Sequence, residues 1–272
     1  MTVKQWLLTL LLCTFGQIKG MSSTDTIPLV ANCRMSVDNL GNCFIITPQN
    51  DIIKYNINGQ KTASNNVKLL GNIASIDVSN PFEILVFYRD QNQLLILDNM
   101  LNIQMQIDLD PLGIMQIACL ARSADNQIWL YDQSDFKLKK FSKSLEPMIE
   151  SAAFNTIQSD LQLQVKQILD VNTNILLANQ NQILSFDVYA NYNKLVLIDT
   201  VGQFYWQNPC IAYQKHNQWH LYNTQNWQMQ SIDLQLPNNA LSAYKTEENV
   251  YILTNDCLIL RRLNKGTNPS SK

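Results

Sequence analysis

The chain has 272 residues, 46% of them hydrophobic and only 15% charged, so it can fill a substantial core and global disorder is excluded. A formal net charge of −2 with no basic stripe removes the electrostatic footprint that DNA or RNA binding needs. Asn and Gln supply about one residue in five, which solubilises surface and turns without adding charge.

In chain order, Lys4 is followed by the apolar run Trp6 to Phe15 and then Gly16, the pattern of a secretory signal over residues 1–20. About ten apolar residues are too few to cross a ~30 Å bilayer as a helix, so no transmembrane span is expected. Cleavage is placed between Gly16 and Gly20. Leu12 stands where a lipid-modified Cys13 would require a small residue, which makes a lipoprotein the less favoured form of export. The expected location is the periplasm or the outer membrane's periphery. Residues 21–264 are expected to form one domain and 265–272 a flexible polar tail. Cys33, Cys43, Cys119, Cys210 and Cys257 would remain after cleavage. Odd in number, widely spaced and mostly within apolar runs, they read as small buried hydrophobes rather than a disulfide framework, and no CxxC pair offers a zinc or redox site.

From Val37 onward the chain repeats one pattern. Val37 leads into Asp38-Asn39-Leu40-Gly41-Asn42, the apolar run Cys43-Phe44-Ile45-Ile46, a polar turn, and the run Ile52-Ile53-Lys54-Tyr55 before Asn58-Gly59. Asn-Gly-type residues make the turns, and β-branched and aromatic residues fill the strands. The second unit places strands at Ile73 to Val78, Glu83 to Tyr88, Leu94 to Asp98 and Ile103 to Leu109. Strand pairs recur at Gln127 to Tyr131 with Lys137 to Phe141, Asn174 to Ala178 with Ile183 to Phe186, Gln218 to Tyr222 with Trp227 to Ile232, and Asn249 to Leu253 with Leu258 to Leu263. The first central strand of each unit is placed near Phe44, Ile84, Ile128, Ile175, Trp219 and Val250, roughly 40, 44, 47, 44 and 31 residues apart, near the ~40–50 residues of a propeller blade. Helical periodicity is absent except for an irregular trace at Ser151 to Lys166. The fold class expected is therefore all-β, a six-bladed β-propeller of four-stranded antiparallel blades. Its last unit stops after three strands, so the N-terminal strand at Thr26 to Val30 is expected to close the last blade beside Leu258 to Leu263.

The Asp38-to-Ile45 turn and strand, followed by Ile52-Ile53-Lys54-Tyr55, resembles a repeat of the NHL and TolB-like six-bladed propellers. Later units keep the hydrophobic pattern and lose the Asp-x-x-Gly-Asn turn. The chain is also similar to exported propeller-like proteins of bacterial envelopes. Relatives of this kind include calcium-dependent lactonases, so the resemblance implies calcium as the one cofactor to test, on oxygen ligands near the axis. Asp38, Asp77 and Asp170 are the metal candidates, each ending the first strand of its unit, although an Asp there equally caps the following turn. Arg122, Gln214 and Lys245 are placed at the matching positions of other units, which suits internal ion pairs better than a cation site.

His216 and His220 are the only histidines and are read as hairpin-surface residues, too few for zinc. No nucleophile elbow, phosphate loop or dinucleotide fingerprint occurs, so no catalytic residue is nominated. Trp206, Trp219, Trp227 and Tyr222 are the binding candidates, either an exposed aromatic patch or packing between blades. Together these features point to a non-catalytic propeller acting on envelope protein partners, peripherally associated with a membrane complex. The alternative is a calcium-dependent lactonase or hydrolase.

Overall fold

A computed structural model describes residues 24–157, 164–171, 173–179, 181–198, 204–207, 210–215 and 218–263. The signal segment 1–20, the tail 265–272 and His216 lie outside the described residues. Apolar runs bounded by Asn- and Asp-rich turns fold into six antiparallel four-stranded sheets. Blade one comprises β2 (Arg34–Val37), β3 (Cys43–Ile46), β4 (Asp51–Tyr55) and β5 (Lys61–Asn66), with β2 innermost. Blade two comprises β6 (Ile73–Asp77), β7 (Ile84–Tyr88), β8 (Gln93–Leu97) and β9 (Ile103–Asp108). Blade three comprises β10 (Ile117–Arg122), β11 (Ile128–Asp132), β12 (Lys137–Phe141) and β13 (Pro147–Glu150). β14 (Gln167–Asp170), β15 (Ile175–Ala178), β16 (Gln182–Phe186) and β17 (Tyr192–Leu197) make blade four. Blade five follows as β18 (Phe204–Gln207), β19 (Cys210–Lys215), β20 (Gln218–Asn223) and β21 (Met229–Ile232).

Blade six takes three strands from the C-terminal part of the chain, β22 (Ser242–Lys245), β23 (Asn249–Leu253) and β24 (Cys257–Arg262), and its fourth from β1 (Thr24–Pro28). The register runs from Thr24 opposite Arg261 to Pro28 opposite Cys257. This is the expected closure of the ring. The ladder is its main bond, because only Ile27 of β1 packs into the core.

The core lies between blades. Separate apolar clusters join blades one and two, two and three, three and four, and four and five, and a larger one spans blades five, six and one. Central strands such as Ile84–Tyr88 and Ile128–Asp132 are buried along their whole length, since both faces of each sheet meet a neighbour.

Two expectations are corrected. In blade five, Trp219 belongs to the third strand, not the second. The second strands begin at Cys43, Ile84, Ile128, Ile175, Cys210 and Asn249, so the repeat spacings become 41, 44, 47, 35 and 39 residues. Trp227 begins no strand; it holds the left-handed position of a turn, with φ of 58°. Later blades lack the Asp-x-x-Gly-Asn turn between their first and second strands, but the same bonds recur without glycine between the third and fourth strands of blades two and four. Asp38 Oδ1 accepts from the backbone of Leu40 and Asn42, Asp98 Oδ1 from Met100 and Asn102, and Asp187 Oδ1 from Tyr189 and Asn191. Gly41 has φ of 80°, and Leu101 and Ala190 take the same conformation at 64° and 63°. Both of those side chains are buried in inter-blade clusters, which offsets the left-handed strain. Of the helical trace after Ser151, the described residues form one turn, α1 (Phe154–Ile157).

Candidate functional site

The innermost strand of each blade has one unpartnered edge, and the six edges surround an axial passage. All six strands run the same way, from an entry face, where the inter-blade connections arrive, to an exit face. A cavity of about 240 Å³ is lined at the exit mouth by Asp38, Asp77, Arg122, Asp170, Trp206 and Tyr244 and reaches back along the passage to Lys166 and Gln167. A larger one, about 700 Å³, opens at the entry mouth and is lined by Arg34, Arg89 and Lys166 with Gln133, Gln167, Phe204 and Leu241.

All three candidate carboxylates reach the exit mouth, and each is already occupied by N–H donors. Asp38 is buried and accepts the backbone N–H groups of Leu40 and Asn42 and the Asn42 amide. Asp77 accepts Ser79 N–H at 2.8 Å and, across the blade boundary, Arg122 N–H at 2.7 Å. Asp170 reaches back from blade four to blade three, accepting Ala124 N–H at 2.9 Å and Trp129 Nε1–H at 3.1 Å. Blade three is thus clamped by a carboxylate from each neighbour. The Arg122 guanidinium adds a second link, donating to Glu83 Oε2 at 2.8 Å and to the Glu83 carbonyl at 2.7 Å, while Lys143 holds the same carboxylate. The hydrogen bond from Lys143, aided by the charge of Arg122, keeps Glu83 below its ordinary pKa.

Among the described residues no three His, Cys, Asp or Glu side chains group as a metal site would require. Asp38, Asp77 and Asp170 each accept N–H donors of turns or neighbouring blades, an arrangement of turn caps and staples rather than of convergent oxygens around a cation. Gln214 does not share their position. It lies on β19, and Gln207 ends the inner strand of blade five, while Lys245 ends that of blade six.

The aromatic candidates do not converge. Trp219 is fully buried and stacks on Tyr205 at 6.0 Å between ring centroids. Trp206 is half-buried on β18 and lines the exit cavity. Tyr222 and Trp227 meet edge-to-face at 5.6 Å on the outer part of blade five, with Lys194 Nζ 3.3 Å over the Trp227 ring. His220 is buried, not on a hairpin surface: its ring stacks on Tyr213 and its Nδ1 lies 3.0 Å from Ser231 Oγ. Cys33, Cys43 and Cys119 are buried free thiols, and burial pushes Cys119 up to about 12, so it is inert as a nucleophile at neutral pH. Burial, with Asp38 nearby, raises Tyr244 to about 12 and leaves its hydroxyl protonated.

The entry mouth escaped sequence reasoning. Arg34 Nη1 and Nη2 donate to the carbonyls of Ala74 and Ile73 at 3.0 and 2.5 Å, and Arg89 Nη2 donates to Ala118 O at 2.6 Å. Gln167 exchanges two hydrogen bonds with the Phe204 backbone. Long polar side chains of one blade therefore cap the free inner edge of the next. Arg34 and Arg89 donate to neutral carbonyls, and the Lys166 ammonium makes no hydrogen bond or ion pair among the described residues. Arg34 starts an inner strand and Lys166 immediately precedes one, whereas Arg89 lies in the turn after β7. Nothing local marks them as functional.

No family model matches the chain, and no curated protein matches it in sequence. Solved structures do match in shape. Virginiamycin B lyase from Staphylococcus aureus, in a catalytically inactive form with quinupristin, is 11% identical, covers 89% of this chain and 100% of its own, and has a TM-score of 0.58. A streptogramin B lyase structure is 15% identical over 86% of this chain and 80% of its own, at 0.54. The Pan2 WD40 domain of Neurospora crassa is 11% identical over 86% of this chain and 90% of its own, at 0.58. At such identities the likeness concerns the fold, and it agrees with the six-bladed propeller built above.

Proposed function

We propose that this protein is a non-catalytic propeller that serves as a protein-interaction module of the cell envelope. The observation that carries this reading is the state of the exit mouth: Asp38, Asp77 and Asp170 hold turns and neighbouring blades together and present no spare acid, base or metal-binding pair. Exposed apolar side chains on the inter-blade connections of the entry face, Leu69 at 92% and Met115 at 86%, add support, since large exposed hydrophobes are typical contact residues. The envelope part of the reading rests on the leader-like run from Trp6 to Phe15. No helix among the described residues is long and apolar enough to cross a membrane.

The test is cross-linking of the tagged full-length chain in cells followed by fractionation. Recovery in the envelope fraction with one reproducible protein partner, lost in the Leu69→Asp, Met115→Asp variant, is the expected outcome. Hydrolysis of lactones that requires added calcium and disappears in Asp77→Asn would overturn the reading in favour of the calcium-dependent enzyme.

A further inference from the structure

The two axial cavities differ in counter-charge. The lining of the entry cavity includes Arg34, Arg89 and Lys166 and not one carboxylate. Two acids border this cavity without lining it: Asp90, next to Arg89, accepts Asn72 N–H at 3.0 Å, and Asp110, which shares an adjoining cavity with Arg89, accepts the Asn92 amide at 3.0 Å. Carbonyl bonds use two of the five N–H donors of Arg34 and one of those of Arg89, which fixes the guanidiniums without neutralising them. Lys166 is exposed at the same mouth with no side-chain partner among the described residues. Arg34 and Arg89 face a wall without a carboxylate, and Lys166 stands where the two cavities adjoin, since it also lines the exit cavity with Asp38, Asp77 and Asp170; an anion held at the entry mouth would complement the two guanidiniums.

We propose that the entry cavity binds a small amphiphilic oxyanion, a carboxylate or phosphate group joined to an apolar body. The head group is assigned by the chemistry of the lining: planar guanidinium forks match the paired oxygens of carboxylate and phosphate, and an ammonium adds a point charge. The apolar body is assigned by the rest of the wall, where Met35, Ile46, Ile76, Phe204 and Leu241 supply hydrocarbon surface. A volume near 700 Å³ falls in the ~300–1,000 Å³ range of small-molecule sites. Nucleic acid is disfavoured because the three exposed cations line one cavity and do not form a stripe. This site does not depend on the interaction-module reading, and either can fail alone.

The test is isothermal titration of the full chain with octanoate and octyl phosphate, using octyl glucoside as the neutral control with the same tail. The two anions are expected to bind with Kd below about 1 mM and the glucoside at least tenfold more weakly. The tighter of the two anions identifies the head group. Lys166→Gln is the cleanest variant, because this side chain makes no hydrogen bond that folding needs. It is expected to weaken the better anion about fivefold, and Arg89→Gln about tenfold, with unchanged circular dichroism. Equal binding of the glucoside, no binding of either anion at 10-fold higher concentration, or wild-type affinity in both variants would each overturn the proposal.

Discussion

The two mouths of the axial passage carry similar numbers of charges and use them in opposite ways. At the exit mouth each acidic group has found N–H donors within the protein, and the resulting bonds join blades two, three and four. At the entry mouth Arg34 and Arg89 meet neutral carbonyls and Lys166 makes no hydrogen bond among the described residues. A buried or half-buried carboxylate satisfied by backbone N–H groups is a structural element, and removing it leaves orphaned donors. A guanidinium bonded only to neutral carbonyls caps the next blade and still has donors left for a ligand. Charge count alone would have treated the mouths alike; partner chemistry separates them.

That contrast can be broken most severely with acid. Hydrogen bonds from Lys143 and Asn102 hold Glu83 and Asp98 below the ordinary carboxylate range; in Asp187 burial opposes the shift and is outweighed by bonds from Asn191 and Tyr189. Groups whose pKa is depressed on folding stabilise the protein above their unfolded value, near 4, and that stability is lost as pH falls through the folded values. All three sit on the exit side. Denaturant midpoints should therefore hold steady from neutral pH to about 5 and drop below about 4. A midpoint that rises on acidification would show that the exit-side carboxylates repel one another more than they bind.

Single substitutions should reproduce the asymmetry at smaller size. Arg122→Ala removes the buried guanidinium from Glu83 and leaves that carboxylate to Lys143 alone, for an expected loss of about 3 kcal/mol measured as a lower urea midpoint with unchanged slope. Asp77→Ala orphans one N–H group of blade three and Asp170→Ala two, and each should cost about 1–2 kcal/mol. Lys166→Gln at the other mouth should stay within about 0.5 kcal/mol of the parent. Equal losses at both mouths would erase the distinction between a stapled and an open face.

The fold was largely legible because each blade repeats one alternation of apolar runs and polar turns, and ring closure followed from counting strands in the last unit. Blade five was misread for a local reason. Only Asn208-Pro209 separates β18 from β19, which is too little polar chain to mark a turn, whereas the aromatic Trp227 in a left-handed turn position imitates the start of a strand. The structural role of the exit carboxylates was visible as Asp at strand ends. The entry mouth was not, because Arg34, Arg89 and Lys166 are brought together only when three blades take their places around the axis, and no spacing along the chain encodes that.

The smallest expected effect concerns how the exit face keeps its turns without glycine. Asp187-Val188-Tyr189-Ala190-Asn191 holds the same bonds as Asp38-Asn39-Leu40-Gly41-Asn42, with Ala190 at φ of 63°. An L-residue in that region costs about 1–2 kcal/mol relative to its right-handed form, and glycine avoids most of this while adding freedom to the unfolded chain. Ala190→Gly gives up one buried methyl, so the balance should be a gain of about 0.5 kcal/mol. Leu101→Gly relieves the same strain but empties a place in the cluster between blades one and two, and should lose about 2 kcal/mol or more. Opposite signs in thermal melts of the two variants would show that the aspartate and its two N–H donors set this turn, and that glycine is replaced wherever the core can use a side chain. A loss in both would mean that the Ala190 methyl does more for packing than its strain costs.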